Sequence, residues 1–259
     1  MSPDAPNVAA RKRLNRAWFA FLTAEILAML VTFKLLRGQW QAGQLKGWFL
    51  VTVLALFYEL RIFKQAIPLM HLPGTDQLAD HIDLSVGLTL AAGLGYGLLA
   101  GLLMVPQPAG VLGWLATGLA LAALFADAWA ERRFREGETL VGGMYLSREF
   151  RAMGALVITV VAIHYGKLPS WFLAVGFMEY LILFTLSWLG RKGETPPIVD
   201  SRLRTAFLFA YLAWVSLGMA PVIDSEIAQP LGIAFGAGYG LIALRDWLIL
   251  SGMWGRKAS

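Results

Sequence analysis

Val111-Leu-Gly-Trp-Leu-Ala-Thr-Gly-Leu-Ala-Leu-Ala-Ala-Leu-Phe-Ala126 runs without a charge and passes directly into Asp127-Ala-Trp-Ala-Glu-Arg-Arg-Phe-Arg135. An apolar run of this kind matches a membrane-crossing helix, which needs about 20 mostly apolar residues. The charges that follow mark where the helix leaves the hydrocarbon. Asp127 stands at that end, followed by Arg132, Arg133 and Arg135. Ionisable groups at membrane depth are costly to keep, and so they usually mark function.

The rest of the chain repeats the pattern. Of its 259 residues, 58% are hydrophobic and 15% charged, with a mean hydropathy of +0.61. A soluble domain carries roughly 25% charged residues. The composition therefore implies an all-α integral membrane protein lying almost wholly in the bilayer. No segment is long or polar enough for a separate soluble domain. The chain has no cysteine, which excludes thiolate nucleophiles, disulfides and thiolate metal sites. Its net charge of +5 reads as membrane topology rather than as attraction to an anionic partner, and nothing suggests nucleic-acid binding.

Eight spans are predicted, at 17–36, 47–66, 84–105, 110–130, 152–166, 169–190, 205–223 and 228–253. The fifth is short and starts earlier, near Tyr145, or tilts. The first follows Arg11, Lys12, Arg13 and Arg16 and is too long for a signal-peptide core, so it reads as an uncleaved span. On this scheme 18 of the 22 basic residues share the side of the N-terminus, leaving Lys34, Arg37, Lys46 and Lys167 on the other. That imbalance predicts both termini in the cytoplasm, in a multi-pass protein of the cell (inner) membrane. Glycines gather in the third span (Gly93, Gly95, Gly97, Gly101) and in the eighth (Gly232, Gly236, Gly238, Gly240). Gly97-x-x-x-Gly101 and Gly232-x-x-x-Gly236 predict close helix–helix contacts. Gly93-x-Gly95-x-Gly97 lies inside an apolar helix and lacks the strand–turn–helix setting of a phosphate loop.

The large polar clusters, at 71–83, 131–151 and 191–205, all fall on the predicted inner side. They suit either an anionic head group presented at that leaflet or plain solvated loops. In two of them the order of residues is specific. Leu124-Phe-Ala-Asp127-Ala128-Trp-Ala-Glu131-Arg132 is followed by Gly143-Met-Tyr-Leu-Ser147-Arg-Glu-Phe-Arg151. This resembles the hallmark of the CDP-alcohol phosphatidyltransferases, D-x-x-D-G-x-x-A-R, a short spacer, then G-x-x-x-D-x-x-x-D. Asp127, Arg132 and Gly143 match. Leu124, Ala128, Glu131, Ser147 and Arg151 depart from it. Tyr165-Gly-Lys-Leu-Pro-Ser-Trp171 resembles the outer turn after the motif helix. Pro197-Ile-Val-Asp-Ser-Arg-Leu-Arg-Thr205 resembles a basic segment before the family's fifth span, and Arg245-Asp246-Trp247 a closing motif. The resemblance covers residues 71–253. It implies a six-helix core at 71–259 and, at 1–70, a basic tail with two added helices.

In that family two divalent ions hold the pyrophosphate of a CDP-linked lipid while an alcohol attacks. The resemblance therefore implies Mg²⁺ or Mn²⁺, with Asp127 as metal ligand, if this chain is active, and no cofactor otherwise. It places Asp127, Ser147 and Arg151 in the catalytic positions. Arg132, Gly143, Arg202 and Arg204 fall where substrate is held. One carboxylate cannot hold two such ions, and Arg151 puts a cation where a cation belongs, though a guanidinium grips phosphate well. The expected function is thus that of a catalytically degenerate member of phospholipid metabolism that binds a membrane lipid, a CDP-linked lipid or a protein partner, with a homodimer implied by the family. The alternatives are an active phosphotransferase with altered chemistry, and a small transporter or structural subunit.

Two other groups carry chemistry. Asp76, Asp80 and Asp83, with His71 and His81 nearby, have the spacing of one helical face. That face reads as an acidic helix start or, alternatively, as a divalent-ion site. Glu25, Glu59 and Glu179 lie in or near apolar spans. They read as neutral, hydrogen-bonded interior groups rather than as a proton path. His164, at a predicted outer helix end, needs no special role.

Overall fold

A computed structural model describes residues 5–136, 140–192 and 201–253. Nine α-helices are found among them: α1 (Ala5–Leu36), α2 (Ala42–Ala66), α3 (Leu84–Gly101), α4 (Leu115–Arg135), α5 (Val141–His164), α6 (Leu173–Gly176), α7 (Met178–Arg191), α8 (Ser201–Gly218) and α9 (Ser225–Leu250). Five stretches are long and apolar enough to cross a membrane: Asn7–Leu36, Leu84–Met104, Gly110–Arg135, Ser170–Arg191 and Ser225–Leu250. The chain is an all-α polytopic membrane protein. The three remaining predicted spans also fall on long helices, and these carry more charge: Glu59, Arg61 and Lys64 in α2, Arg148, Glu149 and Arg151 in α5, Arg202 and Arg204 in α8. Large apolar side chains such as Phe57, Phe125, Phe184 and Leu241 are exposed, as hydrocarbon-facing residues of a membrane protein are.

The chain divides into two compact units, residues 1–150 and 151–259. The boundary expected near residue 70 does not coincide with that division, because α2 packs against α3 within the first unit. α3 is the axis of this unit, and its glycines serve two faces. A Cβ on Gly97 would meet Leu56 Cδ2 of α2 at 2.6 Å, and one on Gly101 would meet Trp48 Cδ1 at 2.7 Å. On the other face a Cβ on Gly95 would stand 2.8 Å from Ala123 Cβ of α4. Only bare backbone lets three helices approach this closely.

Polar ties fix both ends of the unit. At one end Trp40 Nε1 donates to Pro106 O (3.1 Å) and Ala109 N–H to Gln39 Oε1 (3.2 Å), joining the α1–α2 turn to the α3–α4 turn. At the other, Lys64 Nζ donates to Asn15 Oδ1 (2.6 Å) and Arg13 pairs with Asp80 (3.1 Å). Helices α1 to α4 therefore alternate in direction, and α2 runs the length of the bundle despite its charges.

α5 is continuous from Val141, so the predicted fifth span is the end of a longer helix. α4 reaches Arg135 and keeps Arg132, Arg133 and Arg135 in its last turn, where positive charge offsets the helix dipole. The sixth span is broken. Ser170–Phe172 forms a 3₁₀ turn, α6 is short, and Phe177 interrupts the helix just after Gly176, which a Cβ would bring to 3.1 Å from Thr159.

Candidate functional site

Asp127 and Ser147 are each 2% exposed, on α4 and α5. Ser147 Oγ donates to Asp127 Oδ1 at 3.4 Å, at the long end of a hydrogen bond. Two residues twenty positions apart thus meet across a helix pair. Gly143, one turn before Ser147, explains how closely the helices come. A Cβ there would lie 2.7 Å from Val86 Cγ2 and 3.1 Å from Phe134 Cε1. Packing alone accounts for this glycine.

On the exposed face of α4, turned away from the buried Asp127, a shallow groove is lined by Phe125, Ala128, Trp129, Arg132, Arg133 and Glu136. Phe125 and Trp129 meet edge to face, their ring centroids 5.6 Å apart. Arg132 and Arg133 both reach Glu136, at 3.2 and 3.4 Å, and stay exposed. Apolar rings followed by guanidinium groups suit the boundary between acyl chains and anionic head groups.

A divalent ion such as Mg²⁺ requires several hard, mostly anionic oxygens. No group of three or more His, Asp and Glu able to hold an ion occurs among the described residues. A hydroxyl, Ser147, meets Asp127 where the resemblance requires a carboxylate. The donor set does not fit a two-metal centre.

Asp76, Asp80 and Asp83 do not share a helical face, because residues 72–83 are not helical. Pro73-Gly74 turns the chain, with Gly74 at φ +79, a left-handed conformation open to glycine. The segment is then tied down by Ala79 N–H on Met70 O at 2.7 Å. Asp80 is spent on Arg13, and Asp83 caps α3 by accepting from Val86 N–H and Ser85 Oγ, both at 2.7 Å. The expected face gives way to a loop and an N-cap.

In the second unit, Arg151 is buried with its guanidinium 5.4 Å from the centroid of the Phe209 ring. Arg204 lies between two carboxylates, with Nε 3.3 Å from Glu179 Oε1 and Nη1 3.5 Å from Asp246 Oδ2. Asp246 Oδ1 also accepts from Arg245 Nε (3.1 Å) and Nη2 (2.8 Å). Tyr239 Oη donates to Glu179 Oε1 at 3.0 Å and stacks on Tyr211, whose hydroxyl meets Thr159 Oγ1 at 3.0 Å. This network joins α5, α7, α8 and α9. Glu179, expected as a neutral group, is an ion-pair partner, and Arg204, expected to hold substrate, is held by Glu179 and Asp246. Arg202 is exposed on the first turn of α8. Residues 197–200 of the predicted basic segment Pro197–Thr205, and the basic pair Arg256 and Lys257, lie outside the described residues.

No family model, no curated protein and no solved structure matches this chain.

Proposed function

We propose that this chain is a catalytically degenerate relative of the CDP-alcohol phosphatidyltransferases that binds a phosphate-bearing lipid at the cytoplasmic leaflet of the cell membrane. The observation that carries the reading is the Ser147–Asp127 contact. Two motif halves that resemble that family's meet across α4 and α5, with a hydroxyl where a metal-binding carboxylate belongs. A hydroxyl bonded to a carboxylate fills the space of a metal site without the charge to hold the metal. The exposed face of the same helix offers a separate surface for the lipid. Phe125 and Trp129 offer a surface for acyl chains, and Arg132 and Arg133 offer guanidinium groups for a phosphate.

The test uses the purified full chain with CDP-diacylglycerol. Thermal stabilisation by the nucleotide lipid, without CMP release in the presence of Mg²⁺ or Mn²⁺ and an alcohol acceptor, is the expected result. Metal-dependent CMP release that Asp127→Asn abolishes would establish the active-enzyme reading instead. Neither stabilisation nor release would leave a structural subunit.

A further inference from the structure

Glu59 of α2 has no exposed surface, and no side chain among the described residues is hydrogen-bonded to its carboxylate oxygens, which lie beside the backbone of Gly97. The backbone of α3 opens to receive it. A Cβ on Gly97 would stand 2.5 Å from Oε1, and one on Gly93 would stand 3.1 Å from Oε2. The carboxyl group therefore shares the space that side chains at these two positions would fill, with Leu56 at Gly97 and the Phe150 ring at Gly93. Glu25 of α1, 1% exposed, lies within electrostatic reach of Glu59, and its Oε1 is likewise without a partner. Two turns away along the same face of α2, the buried Thr52 Oγ1 is unpartnered and faces Gly101.

Two carboxylates in apolar surroundings need a neutralising positive charge. The basic side chains within these spans do not supply it, since Lys34, Lys46, Arg61 and Lys64 are all exposed. The other ionisable groups of α1, α2, α3 and the first-unit part of α5 are Arg11, Lys12, Arg13 and Arg16 at the start of α1 and Arg148 of α5, all exposed, together with Tyr96 of α3, Tyr145 of α5, and Tyr58 and Glu149, which bond each other at 3.1 Å. A metal ion would need several further oxygens. The hydroxyl of Thr52 lies seven residues from Glu59, about 10 Å along the helix, too far to join a shared coordination shell.

We propose that Glu59 and Glu25 form an intramembrane proton-binding site, built into the cradle of Gly93 and Gly97. This site shares no residue with the α4–α5 pair, so its fate is independent of the phosphatidyltransferase reading. A proton is the one cation that needs no shell beyond the carboxyl oxygens. The side chains that share the cradle, Leu56 and Phe150, are apolar, so none of them ties the carboxyl into a side-chain hydrogen bond that would hold the proton permanently.

Infrared spectroscopy of the purified full chain at neutral pH tests this directly. The expected result is a protonated-carboxyl C=O band that shifts in D₂O, disappears in Glu59→Gln and is unmoved by Na⁺ or K⁺. Spectra of Glu59→Gln and Glu25→Gln that superimpose on the wild type would overturn the proposal. Loss of the band on adding Na⁺ or K⁺ would overturn it in favour of a metal cation. Should Glu59→Gln fail to fold, carbodiimide labelling of the wild-type protein decides. Modification at Glu59, located by peptide mass and falling as pH rises, supports the site. Absent or pH-independent modification at Glu59 refutes it.

Discussion

Asp246 has no exposed surface, yet Arg204 reaches it from α8 and Arg245 from its own helix. Its carboxylate balances charge that the apolar surroundings cannot solvate. Removing one member of such a buried pair strands the other, at about 3–5 kcal/mol. Asp246→Ala should therefore lower the unfolding temperature of the detergent-purified protein sharply. Combined with Arg204→Gln, it should cost clearly less than the two single changes together, because both remove the same interaction. Strict additivity would show that the pair is incidental. This network was the least legible part of the sequence. In the sequence Arg245-Asp246 reads as part of a closing motif, Arg204 as part of a basic segment and Glu179 as a neutral interior group. Their pairing depends on how α7, α8 and α9 lie together, and no spacing along the chain encodes that. The signal that was present is charge balance, since two carboxylates and two arginines at membrane depth must find each other. Ser147 and Asp127 were easier to read, because each sits near the facing ends of helices joined by a short loop.

At the scale of elements, the glycines of α3 carry the packing of the first unit, and they are not equivalent. Gly97 stands where a Cβ would run into Glu59 and Leu56, whereas nothing lies within 4 Å of a Cβ on Gly87, in the same helix. Gly97→Ala should destabilise by about 1–3 kcal/mol through overpacking. Gly87→Ala should be neutral or stabilise by up to about 1 kcal/mol, since alanine loses less backbone entropy in a helix. Thermal unfolding of the two variants side by side checks the pair, and equal effects would mean that the α2–α3 seam is wrongly placed. The glycine-x-x-x-glycine spacing made this seam readable, because it repeats once per helical turn. The acidic run at 76–83 had helical spacing too and was misleading. Pro73-Gly74 turns the chain just before it, and side-chain capping by Asp83 starts α3 only at Leu84. Spacing is informative only inside a segment already known to be helical.

For the whole molecule, the question is how many times the chain crosses the bilayer. Length, apolarity and sparse charge together pick out five stretches and leave out α2, which carries Lys46, Glu59, Arg61 and Lys64. The ties of Trp40 to Pro106 and of Gln39 to Ala109 put the α1–α2 and α3–α4 turns at one end of the first unit, which requires α2 to cross between them. Its length agrees, because 25 residues rising about 1.5 Å each exceed the hydrocarbon thickness. Charge near its lower end is tolerable where Lys64 reaches Asn15 and the basic heads lie exposed. The natural absence of cysteine makes this measurable without background. Cysteines placed singly at Gly38 and Ala109 should react with an impermeant maleimide from the same side of sealed, oriented vesicles. A cysteine at Gln77 or Glu136 should react only from the opposite side. If α2 lay along the surface instead, Gly38 and Ala109 would label from opposite sides, and the alternation of the four helices would fail. The positive-inside rule adds a direction to the expectation: Gln77 and Glu136 should face the cytoplasm, because the basic residues near the same end of this unit, Arg13, Lys64, Arg132, Arg133 and Arg135, outnumber those near the other, Lys34, Arg37 and Lys46.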